Sequence, residues 1–257
     1  MTEKERLDFL IASLLAERKE YKQIAIPASL AEKRRLLRSL MNVRPPLPVS
    51  EALLAMQDAY LQERLVERGV TRLAELSPVQ PGIYLWQGDI TTLACDAIVN
   101  AANSQMLGCF LPCHGCIDNA IHTYAGIQLR LECARLMSRR GDEEPTGSAE
   151  ITKAYNLPCR YVLHTVGPII SGPVKRADQD LLAGCYRSCL DLAAESRLRS
   201  VAFCCISTGE FHFPNQLAAE IAVQTVRDWQ RHSTHPIEVI FNVFKDMDYQ
   251  IYQQLLR

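Results

Sequence analysis

Three cysteines and one histidine lie within the eight-residue segment Cys109–Cys116, which reads Cys-Phe-Leu-Pro-Cys-His-Gly-Cys. Thiolate and imidazole groups are preferred zinc ligands, and the proline and glycine allow so short a loop to fold around one point. A closed set of all four groups, Cys113 included, predicts a structural zinc, whereas three ligands leave one position open for water or substrate. The spacing does not decide between these sets, and reduced cysteines packed in a core are the metal-free alternative.

An acidic residue follows this loop at the start of a predicted helix. Asp118 is predicted to be the N-cap of this helix, and His122 lies one turn later on the same face. In many proteins such a pair is only a helix cap and a surface contact. Beside a metal, the carboxylate can orient or deprotonate a nucleophile, so Asp118 is a candidate catalytic residue.

Three further segments place polar residues or a tight turn directly after predicted strands. Asp89 follows the first strand, Asn103 ends the Asn-rich segment Asp96–Asn103, and the turn Ser207–Phe211 follows a later strand. Open α/β sheets bind ligands beyond the carboxyl ends of their strands, and backbone amides of a glycine turn can hold a diphosphate without a basic residue. Each segment alone is ordinary turn chemistry. Together they predict a ligand cleft.

The elements that must position these residues are short apolar strands alternating with helices from residue 82 onwards, which predicts a three-layer α/β domain. The predicted strands are Ile83–Trp86, Ala97–Val99, Tyr161–Val166, Val201–Ile206 and Ile237–Phe241. The predicted helices span about 118–137, 175–196, 215–232 and 246–256.

Residues 1–76 carry a helical pattern throughout, apart from the proline-rich linker Arg44-Pro-Pro-Leu-Pro48, and are predicted to form a helical extension. This leaves 77–257 as the α/β domain. Ser29 and Ser50 have the spacing of helix caps, and Gly69 stands where a helix C-terminus favours a left-handed residue. The extension is expected to cover the edge of the sheet, and contact with a partner protein is the alternative.

The composition excludes several classes of protein. With 28 Lys and Arg against 29 Asp and Glu, the chain lacks the broad positive field of a nucleic-acid-binding protein. Its longest apolar runs fall short of the ~20 residues that cross a bilayer, and its first residues do not form a secretory signal. We therefore expect a cytoplasmic protein that binds neither nucleic acid nor membrane, with its ten cysteines reduced.

Five segments together resemble the macrodomain family, in order and at the family's spacing, over about residues 82–245. They are Gly88–Thr91, Asp96–Asn103, Ile117–His122, His164–Pro168 and Cys205–Gly209. Common ADP-ribosyl-hydrolase macrodomains carry a run of glycines where this sequence has Cys109–Cys116. That loop and the helical extension resemble the zinc-dependent macrodomains of microbial pathogens. The resemblance implies a macrodomain fold, with a mixed central sheet flanked by helices.

The resemblance also implies an ADP-ribose site. Asp89 and Ile90 would hold adenine, and Asn103 and Asp118 would lie near the distal ribose. The loop that would wrap the diphosphate consists of Ser207, Thr208, Gly209, Glu210 and Phe211. Phe211 would pack on the distal ribose. Glu210 departs from the family pattern, and its carboxylate would repel the ligand if it pointed inward.

The family's zinc pattern, Cys-x4-His-x-Cys, implies that Cys109, His114 and Cys116 bind Zn²⁺ and that Cys113 does not. The implied activity is zinc-dependent removal of mono-ADP-ribose from protein side chains, and a non-hydrolytic ADP-ribose reader with a structural zinc is the alternative. Such macrodomains are associated with a sirtuin-like ADP-ribosyltransferase and with a lipoyl carrier related to the glycine-cleavage H protein. The resemblance therefore implies these two proteins as functional partners.

Overall fold

The structure is a computed structural model that describes residues 2–257. Its α-helices are α1 (Glu3–Ala16), α2 (Leu30–Val43), α3 (Glu51–Arg68), α4 (Ile117–Ala125), α5 (Ile127–Arg140), α6 (Arg176–Glu195), α7 (Asn215–His232) and α8 (Asp246–Leu255). Its strands are β1 (Thr71–Arg72), β2 (Pro78–Gln80), β3 (Ile83–Gln87), β4 (Leu93–Ala94), β5 (Ala97–Ala102), β6 (Ala149–Lys153), β7 (Tyr161–Val166), β8 (Ser200–Phe203) and β9 (Glu238–Val243).

Seven strands form one mixed sheet in the order β2-β3-β9-β8-β5-β7-β6. The five central strands are parallel, and β2 and β6 pair antiparallel at the two edges. The central strands are almost continuously apolar and buried, as expected when helices cover both faces of a sheet. The prediction of an α/β fold with a mixed sheet flanked by helices is confirmed.

The parallel arrangement positions the candidate site. Because β3, β9, β8 and β5 run in the same direction, their carboxyl ends meet at one edge of the sheet. Helices α6, α7 and α8 pack against one another, while α4 packs on β5 and α5 on β6. Within residues 2–257 every helix is too short or too polar to span a membrane.

The three N-terminal helices have a hydrophobic cluster of their own. It is built from the apolar stripes of α1, α2 and α3, and its buried members include Leu10, Leu37 and Leu61. Ile127 of α5 belongs to the same cluster. Ser29 and Ser50 accept hydrogen bonds from the third residues of α2 and α3, as their spacing predicts. The extension therefore packs onto the α/β domain through shared apolar surface.

The prediction of helix throughout residues 1–76 is wrong beyond Gly69. That residue has φ +79° and ends α3, after which Thr71–Arg72 pairs parallel with Leu93–Ala94 and 73–75 form a single 3-10 turn. The pairing partner lies more than twenty residues further along the chain, so the local helical pattern could not reveal it. Residues 44–50 also lack helix, which agrees with the proline-rich linker expected there.

Two further boundaries differ from the sequence prediction, and two edge strands were not predicted. The single helix expected over 118–137 is two helices, α4 and α5, separated at Gly126. The strand expected to reach Ile206 ends at Phe203, because the chain turns there to begin the cleft loop. Strands β2 and β6 were not predicted, since each is a partly exposed edge strand whose mixed polar and apolar residues carry a weak signal.

Gly126 is expected to be the residue that fixes the break between α4 and α5. It has φ +98°, and a Cβ atom there would lie 2.6 Å from Nε2 of Gln57. We predict that Gly126→Ala lowers the free energy of unfolding by about 2–3 kcal/mol, measured by urea denaturation. The control is Gly141→Ala, because Gly141 also has a positive φ but has open space around its Cβ position. Equal losses in the two variants would contradict the role of the close approach.

Candidate active site

A cleft of about 830 Å³ lies at the carboxyl edge of the parallel strands. Its volume is in the usual range for small-molecule sites. Every residue that the family resemblance assigned to the ligand or metal site lines it: Asp89, Ile90, Asn103, Cys109, His114, Cys116, Asp118, Ser207, Thr208, Gly209, Glu210 and Phe211. The structure thus brings together segments that are separated by more than a hundred positions in the chain.

Asp89 and Ile90 form one end of the cleft, directly after β3. The Asp89 carboxylate accepts hydrogen bonds from the Thr91 amide at 2.9 Å and the Thr91 hydroxyl at 2.6 Å. Its second oxygen accepts one at 3.0 Å from Arg68, whose guanidinium lies 3.6 Å from the centre of the Tyr124 ring. Arg68 belongs to α3, so the N-terminal extension fixes the orientation of this carboxylate.

The loop after β8 offers hydrogen-bond donors to the middle of the cleft. Ser207 has φ +63°, and its buried hydroxyl meets no hydrogen-bond partner in residues 2–257. Among the residues that the structure describes, the backbone amides of Gly209, Glu210 and Phe211 also find no acceptor. A Cβ atom on Gly167 would lie 2.0 Å from the Ser207 hydroxyl, so this close approach requires glycine. Free amides in a tight turn suit an anion such as a diphosphate.

Asp118 lies in the first turn of α4, where it is buried but still lines the cleft. The prediction that it caps the helix is wrong, because the N-cap is Cys116, whose Sγ accepts a hydrogen bond from the Asn119 amide. One carboxylate oxygen accepts a hydrogen bond at 2.8 Å from Asn100, and the other accepts a longer one at 3.4 Å from Asn103. Burial raises the pKa of Asp118 to about 6, against the opposing effects of Asn100 and of the Arg130 charge. The oxygen facing Asn103 is the less firmly held of the two.

A buried polar network supports Asp118 from behind. Asn100 also contacts Nδ1 of His164 at 3.1 Å, and Nε2 of His164 contacts the Thr152 hydroxyl at 2.8 Å. Burial lowers the pKa of His164 to about 3, so its imidazole is neutral. Burial and the nearby Arg130 charge also hold the pKa of His122 well below its usual value. These groups orient the carboxylate without adding charge beside it.

The side chains of Cys109, His114 and Cys116 converge at the other end of the cleft. Their potential ligand atoms all lie within 4.8 Å of one another, and Sγ of Cys109 is 3.6 Å from Nδ1 of His114. Sulfur and nitrogen ligands of one tetrahedral zinc ion are separated by about 3.6 Å, given the usual zinc–ligand bond lengths. The three side chains therefore fit a zinc ion by donor type and by spacing.

Cys113 faces away from this cluster. Its thiol lies 3.2 Å from the Ser39 hydroxyl and 3.5 Å from the Arg35 carbonyl oxygen, both in α2. Glu210 approaches the cluster from the opposite side of the cleft, with a carboxylate oxygen 3.6 Å from Nε2 of His114. Its side chain is 67% exposed, so the carboxylate lies mostly in solvent. The loop after β8 and the three potential metal ligands thus face each other.

A second group of potential ligands, His122, Cys133 and His164, lies in the core. Nε2 of His164 already contacts the Thr152 hydroxyl, and the Arg130 charge lies close enough to disfavour another cation. We assign this group to the buried network behind Asp118 and not to a metal centre.

Sequence reasoning missed four residues that hold the site in place, of which Arg38 also lines the cleft. Asn100 carries a detectable signal, because a polar amide inside an apolar strand needs a buried partner. Arg38, Arg68 and Arg130 carry none, since arginines in amphipathic helices are indistinguishable from solvated ones until the tertiary contacts are known.

Comparison with known proteins agrees with this architecture. A family model described as Macro domain matches residues 99–222. A relative from Treponema medium is 56% identical over the full length of both chains. The chain therefore belongs to the macrodomain family, as its motifs indicate.

The Treponema medium relative is named protein-ADP-ribose hydrolase. So is a relative from Staphylococcus aureus strain MRSA252, which is 51% identical across 98% of this chain and 95% of its own. Among solved structures, the Trypanosoma brucei macrodomain in complex with ADP-ribose is 34% identical and superposes with a TM-score of 0.66. That match covers 86% of this chain and 95% of the trypanosomal one.

The metal cluster leads to a prediction about binding stoichiometry. We expect the purified chain to bind a single zinc ion, measured by elemental analysis after equilibrium dialysis. Cys109→Ser, His114→Ala and Cys116→Ser should each lose most of the bound zinc, because each removes one of only three protein ligands. Cys113→Ser should keep it, because that thiol points at α2. Zinc loss in Cys113→Ser equal to that in Cys109→Ser would contradict the three-ligand arrangement.

The buried imidazole of His164 leads to a prediction about pH. Its pKa is about 3 in the folded chain against an ordinary 6.5, so below pH 6.5 only the unfolded chain takes up this proton. Stability should therefore fall as the pH decreases from 6.5 towards 3, with a contribution of up to about 1.4 kcal/mol per pH unit. Urea denaturation of the chain and of His164→Asn across this range isolates the contribution, since other groups titrate in both proteins. Profiles of unfolding free energy against pH that run parallel in the two proteins would contradict this contribution of His164.

Proposed function

We propose that this chain is a zinc-dependent hydrolase that removes mono-ADP-ribose from modified protein side chains. The proposal rests chiefly on the convergence of Cys109, His114 and Cys116 at the end of α4 that carries Asp118, in a cleft suited to ADP. Two relatives named protein-ADP-ribose hydrolase, at 56% and 51% identity, support it.

The nucleotide part of the substrate is held by groups remote from the reacting bond. The carboxylate of Asp89 accepts a hydrogen bond from the adenine amine, and the buried Ile90 provides apolar contact. The free amides of Gly209, Glu210 and Phe211 bind the diphosphate. These contacts fix the distal ribose beside Asp118, so that binding energy is converted into orientation of the reacting groups.

Cys109, His114 and Cys116 would hold the metal through two thiolates and one neutral imidazole. Zinc bound in this way supplies an open coordination position that suits an oxygen of the distal ribose or a water molecule. Asn103 donates a hydrogen bond at 3.3 Å to the carbonyl oxygen of Gly108. This bond links the loop that carries Cys109 to the strand end that faces the ribose.

Asp118 orients the nucleophile. Asn100 holds one of its oxygens at 2.8 Å, while the oxygen that Asn103 contacts at 3.4 Å can accept a hydrogen bond from an attacking water. The water adds to C1″ of the ribose as the bond from C1″ to the modified side chain breaks. One proton of the water stays on the new C1″ hydroxyl, and the other passes to the Asp118 carboxylate and from there to the leaving side chain or, where that is a carboxylate, to solvent. The products are ADP-ribose and the free side chain.

Release of ADP-ribose from a mono-ADP-ribosylated carrier protein tests this function. We predict that Asp118→Asn lowers the release rate by about 10²- to 10⁴-fold, the usual contribution of a positioned acid–base group. Cys109→Ser and His114→Ala should lose activity in proportion to their loss of zinc, and Cys113→Ser is the matched control that keeps it. Full activity in folded, zinc-free variants would refute a catalytic metal.

The same experiment separates hydrolysis from binding alone. An ADP-ribose reader would bind free ADP-ribose in calorimetry and leave the modified carrier intact. A purely structural zinc predicts that chelation abolishes the folding transition, because structural zinc contributes to folding itself. The proposed enzyme should lose activity on chelation and keep its folding transition.

The class of substrate follows from the resemblance to zinc-dependent macrodomains. We propose that the modified side chains are Asp or Glu esters or a related linkage, attached by a sirtuin-like ADP-ribosyltransferase to a lipoyl carrier of the glycine-cleavage H type. A carrier modified by such a transferase is accordingly the first substrate to test.

A further inference from the structure

The metal loop, residues 107–116, consists of turns and extended backbone only. Cys113 within it has φ +53°, a conformation that costs energy for a residue other than glycine. A loop of this kind keeps three ligands in place only if the surroundings determine its conformation. Much of that surrounding structure comes from α2 of the N-terminal extension.

Arg38 of α2 makes the central contact. Its Nη2 donates hydrogen bonds to the carbonyl oxygen of His114 at 2.9 Å and to Oδ1 of Asn119 at 2.8 Å. The Asn119 side chain in turn donates to the carbonyl oxygens of Leu111 at 2.9 Å and Cys109 at 3.4 Å. One guanidinium is therefore linked, directly or through one amide, to the backbone of two of the three ligand residues.

The third ligand residue is tied to the same amide residue. The Sγ atom of Cys116 accepts a hydrogen bond from the backbone amide of Asn119 at 3.4 Å. Asn119 is fully buried, so its position sets the position of this sulfur. Arg38 and Asn119 together therefore reach all three ligand residues.

Asn42, one turn beyond Arg38 in α2, holds the strained part of the loop. Its Oδ1 accepts a hydrogen bond at 2.9 Å from the backbone amide of Cys113, and its Nδ2 donates at 2.9 Å to the Thr123 hydroxyl in α4. Asn42 is buried, and Ser39 contacts the Cys113 thiol beside it. These contacts explain why Cys113 points at α2 while its neighbours point at the cleft.

We propose that α2 of the N-terminal extension is the outer half of the metal centre, in which Arg38 and Asn42 are positioning residues that fix the three ligands. The inference rests on the proposed function for the identity of the metal. Partners that orient metal ligands in this way are typically worth about 10- to 100-fold in metal affinity. The extension thus determines zinc affinity without supplying a ligand.

The test is the zinc dissociation constant of the full chain, measured by competition with a chromophoric chelator. We expect Arg38→Met and Asn42→Ala each to weaken zinc binding by about 10- to 100-fold. Arg35→Met is the matched control, because its side chain is exposed on the same helix, and it should bind zinc like the unmodified chain.

A second measurement separates positioning from general loosening of the fold. With Co²⁺ in place of zinc, the visible absorption bands report the geometry of the thiolate and imidazole ligands. These bands should shift in Arg38→Met and stay unchanged in Arg35→Met. Arg68→Met, which alters the extension at the opposite end of the cleft, should weaken ADP-ribose binding and leave the cobalt spectrum unchanged.

Zinc affinity within twofold of the unmodified chain in folded Arg38→Met and Asn42→Ala would overturn the inference and leave the proposed function standing. Equal weakening in Arg35→Met would also overturn it, because the effect would then follow from the helix as a whole. If the unmodified chain binds no zinc, the proposed function fails, and the inference fails with it.

Discussion

The candidate active site depends on one buried cation, the guanidinium of Arg130. It donates hydrogen bonds to the carbonyl oxygens of Met41, Asn42 and Arg44 at the end of α2, and to that of Leu107 at the start of the metal loop. The last carbonyls of a helix have no partners within the helix, and they carry partial negative charge. Burial lowers the pKa of Arg130 to about 10, which leaves it a cation at neutral pH. Extension, metal loop and core meet at this single group.

Much of the fold could be predicted from the sequence, because its signals are local. Apolar runs identified the central strands, and serine caps identified the starts of α2 and α3. The errors arose where a distant contact overrides the local pattern. Gly126 interrupts a continuous helical period because its neighbours include Gln57 of α3, and the 71–72 strand exists only through its pairing with 93–94. Neither contact can be inferred from neighbouring positions.

The candidate site, like the fold, has residues that could be predicted from the sequence and residues that could not. The three residues expected to bind metal lie within one loop, and Asp118 follows it directly, so spacing and residue type were enough to mark them as candidates. The family resemblance excluded Cys113, and in the structure its thiol lies against Ser39 of α2. Arg38 and Asn42 could not be found, because α2 reads as an ordinary amphipathic helix whose polar face has many possible partners.

The contacts between α2 and the metal loop limit how the site can be transferred to another protein, by engineering or in evolution. The two segments are separated by more than sixty positions, yet polar groups of the helix hold the conformation of the loop. Grafting the loop and the start of α4 alone into a macrodomain that lacks these helices would therefore leave Asn119 without its donor and the Cys113 amide without its acceptor. The loop and the helix must be transplanted, or inherited, as one unit.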